Sequence, residues 1–209
     1  MGYIQDLGRK AKACKSRIAT ASTMEKNDAL MEIAYVLRRC KAEIIEANNI
    51  DIQNARARKM SESLIDRLAL SEDRIEGMAQ ACEKLTALSD PIGEVVSGSV
   101  RPNGMSIRKV RVPMGVIGMI YEARPNVTVD AAILCLKSGN CCILRGGKEA
   151  INSNMILVEL MRKAVSCAGL DADIIQLVSN TDRELAVDKD TLSRQIMGGL
   201  KQMMDAVGM

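Results

Sequence analysis

The stretch Pro113–Asn154, PMGVIGMIYEARPNVTVDAAILCLKSGNCCILRGGKEAINSN, decides the fold of this 209-residue chain. Its run VIGMIY is short, apolar and β-branched, which predicts a buried strand. Apolar side chains at helical spacing over Val127–Lys137 predict a helix that Ser138-Gly139-Asn140 ends. CCILR predicts a second buried strand. The stretch therefore predicts a strand–helix–strand unit of a parallel α/β sheet.

A cationic, glycine-rich turn, Arg145-Gly146-Gly147-Lys148, follows the second strand and opens a further helix. Parallel sheets present their ligand loops at the carboxyl ends of strands. Glycines let a backbone approach a phosphate closely, and two cations attract one, so the turn is a candidate site for a phosphate-bearing ligand. Basic residues beside a turn are often only solvated, and from these four residues alone that interpretation would be preferred.

Downstream, the sequence predicts a third strand. Ser153–Ala168 is predicted to be a helix closed by Gly169, and Asp173–Ser179 is predicted to be a strand, which completes a βαβαβ mononucleotide-binding half-sheet. Asn180–Val187 is expected to start another helix. From about Asp188 the chain reads VDKDTLSRQIMGGLKQMMDAVGM, whose apolar stripe is typical of core or of a self-association surface.

Upstream, the first ninety residues are predicted to be helical. Ser22-Thr23-Met24-Glu25 fits a capping box. Another helix is expected to begin after Ser71 and to end at Asp90-Pro91-Ile92-Gly93. The apolar positions that mark the buried faces are Leu30, Ile33, Ala34, Leu37 and Ile44, then Ile75, Met78, Ala79, Cys82 and Leu85.

Between the helices and the deciding stretch, the sequence predicts a β-hairpin. Glu94–Arg101 and Met105–Val112 are β-rich, and Pro102-Asn103-Gly104 joins them with an Asn-Gly pair that favours a tight turn. The residues alone predict a local hairpin packed on its own domain.

The composition excludes several classes of function. A net charge of +3 with three tyrosines as the sole aromatics argues against a nucleic-acid partner. The chain has no histidine, which excludes Ser-His and Cys-His catalytic pairs and makes a zinc or other metal site unexpected. The seven cysteines lack CxxC spacing and are expected to be free thiols or core residues. Without an apolar run of ~20 residues or a secretory signal, we expect a cytoplasmic protein with no membrane partner.

The motifs PMGVIGMIYEARPNVTVDAA, LKSGN and ILRGGKEAINSN resemble the γ-glutamyl phosphate reductase (glutamate-5-semialdehyde dehydrogenase) family of the aldehyde dehydrogenase superfamily. Upstream segments extend the resemblance over roughly Lys10–Ala186. It implies an α/β fold: the Rossmann-like open parallel sheet of the aldehyde dehydrogenase fold, with N-terminal helices and a β-hairpin oligomerisation arm. The implied parts are an N-terminal helical part (1–93), the hairpin arm (94–112), an NADP-binding βαβαβ unit (113–187) and a divergent tail (188–209).

The reaction that the resemblance implies is the NADPH-dependent reduction of L-glutamyl 5-phosphate to L-glutamate 5-semialdehyde, in proline biosynthesis. It also implies NADP(H) as cofactor, a homo-oligomer and glutamate 5-kinase as a pathway partner. Enzymes of this family are roughly twice as long, and their nucleophilic cysteine lies in the second half. We therefore expect this chain to lack the nucleophile and the catalytic domain, and to be inactive alone. An NADP-binding module that acts through another subunit, and a non-catalytic associating fragment, are the alternatives.

The resemblance also implies roles for individual residues. Asn126 corresponds to the loop asparagine whose amide faces the developing oxyanion; its alternative role is the N-cap of the next helix. Arg145 stands where the superfamily has a lysine that reaches the adenosine ribose. Lys148 stands where relatives that prefer NAD have a glutamate, so its charge would favour the 2′-phosphate of NADPH. Arg124 is a candidate for the substrate's carboxylate or phosphate.

Overall fold

The computed structural model describes residues 2–179. In it, the strands of the deciding stretch pair in parallel as predicted. β3 (Val116–Ile120) lies beside β4 (Cys141–Arg145), and β4 lies beside β5 (Ile175–Leu177). The prediction that the first of these strands is buried is wrong: β3 is at the edge of the described sheet, and its residues are exposed or half-buried. Cys141 and Cys142 are both fully buried although successive strand residues face opposite sides, so both faces of β4 are covered.

Five helices precede the sheet: α1 (Tyr3–Ala19), α2 (Thr23–Arg39), α3 (Lys41–Ala57), α4 (Glu62–Leu68) and α5 (Glu72–Thr86). Two more belong to the parallel unit: α6 (Pro125–Lys137) and α7 (Ile151–Cys167). α1 contacts all three strands, α6 packs on β4, and α7 packs on β5. α2, α3 and α5 then pack on α6 and α7 as a further layer. The predicted α/β fold class is confirmed.

Capping residues in the sequence correctly predicted where α2 and α5 begin. The side chain of Ser22 accepts from the Glu25 backbone N–H while the Glu25 carboxylate accepts from the Ser22 N–H, which is the predicted capping box. The Ser71 side chain caps α5 by accepting from the Arg74 N–H, without a reciprocal bond. The predicted first apolar face is divided, because Cys40 ends α2 and Ile44 belongs to α3.

The hairpin forms with shorter strands than predicted: β1 (Val95–Val100) and β2 (Ser106–Val110), paired antiparallel. Gly104 has φ +82°, a conformation that favours glycine, and its N–H donates to the Arg101 carbonyl. Every residue of both strands is exposed.

The third strand is also shorter than predicted. Ala172–Ile174 forms a 3₁₀ turn because the Asp171 carboxylate accepts from the Asp173 N–H at 2.8 Å, so β5 starts at Ile175. The helix expected over Asn180–Val187 and the tail 188–209 lie outside the described residues. No helix of residues 2–179 combines the length and apolar character that crossing a bilayer requires.

Candidate substrate cleft and cofactor turn

Asn126 lies in the first turn of α6, beyond the carboxyl end of β3. The helix begins at Pro125, and Arg124 is the N-cap residue, without a side-chain capping bond. The interpretation of Asn126 as the N-cap is therefore wrong by two residues. Proline suits the first helical position because its ring fixes φ and its missing N–H would have no helical partner there. Pro125 was the sequence signal that marks this start.

A cleft of about 450 Å³ opens beside Asn126, between α6 and the α4–α5 segment. Its volume falls in the range of ~300–1,000 Å³ that small-molecule sites occupy. Sequence analysis identified two of its residues, Arg124 and Asn126. Asp130 lies one helical turn after Asn126, and the remaining lining residues come from distant positions: Asp66, Arg67, Arg74, Gly77 and Met78.

Three arginines line this cleft, but one of them is already engaged. Arg74 pairs with the Asp66 carboxylate at 3.1 Å and also donates to the backbone carbonyls of Asp66 and Ala69. Among residues 2–179, neither Arg67 nor Arg124 forms a salt bridge. Their exposed guanidinium groups are therefore available to anions that enter the cleft.

Asp130 is the acidic counterpart of these arginines. It is half-buried and lies one helical turn beyond Asn126, whose amide nitrogen is 3.4 Å from its carboxylate. Burial raises the pKa of the Asp130 carboxyl, and the Asn126 amide lowers it by less. Within the described part of the chain, no cation pairs with Asp130.

A chain of hydrogen bonds joins Tyr121 to α6 and α7. The Tyr121 hydroxyl is 2.7 Å from Thr128 Oγ1, and Thr128 donates to Asn154 Oδ1 at 2.6 Å. Because Thr128 has a single proton, Tyr121 is the donor of the first bond. Burial raises the pKa of Tyr121 to about 12, so the phenol keeps that proton at neutral pH. The Asn154 amide nitrogen is buried and has no partner within residues 2–179.

Packing restricts Gly146 and Gly147, the two glycines of the turn Arg145–Lys148, to residues without a side chain. A Cβ at Gly146 would lie 2.2 Å from the Asn154 amide nitrogen, and one at Gly147 would lie 3.1 Å from the Ala123 backbone nitrogen. The turn therefore lies directly against the loop that leads to Asn126. From the sequence, these glycines were expected to let a phosphate approach the backbone closely. The structure supplies an internal reason that holds whether or not a phosphate binds.

Lys148 faces a second, smaller cleft, of about 60 Å³, against the end of α3. Arg58 lines the same cleft, and so do the acidic residues Asp51 and Glu149, so two cations and two carboxylates share it. The sequence pointed to Lys148 but not to Arg58. The volume is far below that of a whole-ligand pocket, so the cleft suits one small group of a larger ligand. The structure thus separates the predicted residues: Arg124 and Asn126 share the large cleft, while Lys148 lies in the small one. Arg145 ends β4 half-buried between Tyr121 and the turn.

The first turn of α7, where a phosphate could bind, is already used. The Asp51 carboxylate accepts from the backbone N–H groups of Asn152 at 3.2 Å and Ser153 at 2.8 Å. An acidic side chain from α3 thereby satisfies the positive end of the helix. A phosphate near the turn would therefore depend on the side chains of Lys148 and Arg58.

The seven cysteines of the sequence all lie in the described part of the chain and are free thiols, as expected. Burial raises the pKa of Cys14 and Cys82 to about 12 and of Cys141 to about 11. Cys135 has a lowered pKa because it is hydrogen-bonded to Cys142, but its side chain is 2% exposed. None of these four thiols suits attack on a substrate. Within residues 2–179, no group of three potential metal ligands was found.

Comparison with known proteins places these features in a family. The model of the aldehyde dehydrogenase family matches residues 4–190. The chain belongs to the aldehyde dehydrogenase family. A γ-glutamyl phosphate reductase of Halothermothrix orenii is 53% identical over 176 residues, which are 84% of this chain and 42% of that protein.

Solved structures agree with this assignment to the aldehyde dehydrogenase family. The γ-glutamyl phosphate reductase of Thermotoga maritima superposes with a TM-score of 0.86 at 45% identity, over 88% of this chain and 44% of that one. The Saccharomyces cerevisiae γ-glutamyl phosphate reductase gives 0.84 at 30% identity, over 91% and 49%. The chain spans about half the length of the relatives it matches. The resemblance identified in the sequence is confirmed, and so is the aldehyde dehydrogenase fold.

Proposed function

We propose that this chain forms the cofactor-binding and substrate-orienting part of an NADPH-dependent γ-glutamyl phosphate reductase. The reaction converts L-glutamyl 5-phosphate to L-glutamate 5-semialdehyde, the proline-biosynthesis step named by the resemblance. The observation that best supports this proposal is the position of Asn126, whose neutral amide lies in the first turn of α6 and lines the large cleft. The same cleft contains Arg67 and Arg124, which form no salt bridge within residues 2–179.

Asn126 is suited to the oxyanion role by its chemistry. An amide N–H stabilises a developing negative oxygen without transferring a proton to it. Its contact with Asp130, at 3.4 Å, is longer than a normal hydrogen bond, so little is lost when the amide turns to a substrate oxygen. Arg124, at the same helix start, is placed in this proposal against the phosphate or carboxylate of the substrate.

The small cleft is the proposed position of the 2′-phosphate of NADP(H). Lys148 and Arg58 supply two cations, and Arg145, with Gly146 and Gly147, completes the turn beside them. When bound, the cofactor would supply the hydride. The chain's own residues would hold its phosphorylated ribose and keep the amide of Asn126 near the reacting carbon.

The nucleophilic thiolate is proposed to come from outside the described residues. The buried thiols with raised pKa values stay protonated at neutral pH and have no path to a substrate. The proposal keeps a cytoplasmic location, which the seven free thiols support, and glutamate 5-kinase as the pathway partner that makes the acyl phosphate.

A chimaera tests the proposed activity. Residues 1–179 of this chain would replace the matching part of the Thermotoga maritima reductase. The readout is the reduction of NADP+ to NADPH, in the presence of phosphate, as L-glutamate 5-semialdehyde is oxidised to L-glutamyl 5-phosphate. We expect turnover, and we expect Asn126→Ala to lower kcat by about 10²–10³-fold without a change in melting temperature.

The matched control is Asn49→Ala, which removes an exposed amide from α3 and should leave kcat unchanged. A chimaera that folds but does not turn over would contradict the reductase assignment. An Asn126→Ala chimaera as active as the parent would contradict the oxyanion role.

A further inference from the structure

The large cleft holds charges of both signs at fixed positions. Within residues 2–179, Asp130 is half-buried and pairs with no cation, and Arg67 and Arg124 form no ion pair. Arg74 pairs with Asp66 and donates to two backbone carbonyls. A half-buried carboxylate is costly unless a positive group neutralises it. A ligand that brings both an ammonium and an anion would satisfy Asp130 and the arginines together.

We propose that the cleft recognises the α-amino and α-carboxylate groups of its substrate: Asp130 binds the α-ammonium and Arg67 binds the α-carboxylate. This inference rests on the proposed function, and it assigns the specificity of that reaction to two side chains. The substrate class is then an α-amino acid with an activated side-chain carboxyl, and the same acyl phosphate without its amino group is discriminated against.

The spacing along α6 supports this assignment. Asn126 and Asp130 are four residues apart, which puts their Cβ atoms about 5–6 Å apart on one helix face. In a glutamyl group, four bonds of about 1.5 Å each separate the side-chain carbonyl carbon from the amino nitrogen. In an extended chain these bonds span about 5 Å. A glutamyl chain lying along α6 therefore meets the amide with its carbonyl and Asp130 with its ammonium.

The remaining charges fit the two ends of the same ligand. Arg124 is at the start of α6, beside Asn126, where the phosphate would lie. Arg67 follows from the α4 side of the cleft, where the α-carboxylate would lie. Asp66 does not compete for the ammonium, because it is paired with Arg74.

Two stable analogues test the inference by binding alone. L-2-Amino-6-phosphonohexanoate has the chain length of L-glutamyl 5-phosphate, and 6-phosphonohexanoate differs from it only by lacking the amino group. Titration of the 209-residue chain, followed by amide chemical shifts, should show the amino compound binding about ten- to hundredfold more tightly. Asp130→Asn should abolish that difference, with little effect on the affinity for 6-phosphonohexanoate.

Two more variants separate binding of the carboxylate from binding of the ammonium and control for the loss of a negative charge. Arg67→Gln should weaken both analogues by a similar factor, because both carry the carboxylate. Glu122→Gln, which removes an exposed negative charge close to the cleft, should keep the preference. Equal binding of the two analogues by the parent chain would overturn the inference, and so would an Asp130→Asn variant that weakens both equally.

The binding titration tests recognition of the ammonium, and the chimaera's turnover tests the reductase activity, so either claim can be rejected without the other. A preference for the amino compound that depends on Asp130, in a chain whose chimaera does not turn over, would support the recognition and reject the reductase. Turnover by the chimaera without that preference would keep the reductase and reject the recognition.

Discussion

Lys148 lies where the turn after β4 meets the end of α3, and Arg58 faces it from that helix. The sequence motif and the family resemblance pointed to Lys148. Arg58 is ninety positions away in the sequence, and only the folded structure brings it to the same cleft. Asp51 and Glu149 also line this cleft, so a phosphate bound there needs both cations to offset the two carboxylates. The cofactor preference should therefore depend on both residues.

Charge reversal at Lys148 should change that preference. In Lys148→Glu, we expect the affinity of the 209-residue chain for NADPH to fall by about tenfold or more, since a charge-assisted contact is lost and a repulsion is gained. The affinity for NADH should stay within about twofold. Fluorescence titration with both cofactors measures this.

Lys12→Glu makes the same charge change on the exposed surface of α1, and it should leave both affinities as they are. If Lys148→Glu binds NADPH as well as the parent chain does, Lys148 does not contact the 2′-phosphate.

Among the elements, α3 organises the candidate sites more than its own sequence indicates. Asn48 donates to the Leu68 carbonyl and accepts from the Leu70 N–H, which fixes the segment between α4 and α5. One turn later, Asp51 caps α7. The wall of the large cleft and the start of the helix after the cofactor turn are thus both attached to one helix.

Removal of the Asp51 carboxylate should loosen α7. We expect Asp51→Ala to lower the free energy of unfolding by about 2 kcal/mol, because two N–H groups in the first turn of α7 lose their acceptor. Asp51→Asn should cost less, because its amide oxygen still accepts one of these bonds. Urea denaturation followed by circular dichroism measures both.

Asp28→Ala removes an exposed carboxylate from α2 and should change the same quantity by at most about 0.5 kcal/mol. Equal losses for Asp51→Ala and Asp28→Ala would mean that the cap contributes nothing.

At the scale of the whole molecule, the hairpin is the feature that the described fold does not bury. Its apolar side chains include Val100, Met105 and Ile107, which are 73%, 54% and 41% exposed. The register pairs Val100 with Ser106 and Ile107 with Ser99, so both faces of the hairpin carry exposed apolar side chains. The local interpretation, a hairpin packed on its own domain, does not match this exposure. We propose that a second copy of the chain covers it, as the resemblance implies.

A single charge on this surface should separate the subunits. In Val100→Asp, we expect the mass measured by light scattering to fall to that of one chain, because a buried unpaired carboxylate is costly. The far-UV circular dichroism should not change. Leu88→Asp places the same charge at an apolar residue that is 59% exposed outside the hairpin, and should leave the mass unaltered. A monomeric parent chain would refute the proposal.

The sequence predicted the features that short-range patterns encode. β3, β4 and the capping box of α2 depend on residues within a few positions of one another, so their patterns could be recognised directly. The start of α6 lies two residues before the predicted one, because Pro125 occupies the first helical position.

Features that join distant positions could not be predicted from those patterns. Asp51 accepts from Ser153 across 102 positions, and Asp130 and Arg67 line one cleft because α4 and α6 flank it. Asp130 had a weaker local signal: it lies four residues after Asn126, on the same helix face. Its charge was overlooked because a helical aspartate is usually solvated.

The exposure of Cys167, the last residue of α7, has a practical consequence. Five of the other cysteines are buried and Cys40 is partly covered, so a maleimide dye should couple to the native chain first at Cys167. At 1.5 Å per residue, the 17 residues of α7 hold that label about 25 Å from the start of the helix. A fluorophore attached there would transfer energy to a dye-labelled nucleotide bound at the proposed cofactor site, and it would occupy none of the residues proposed for that site.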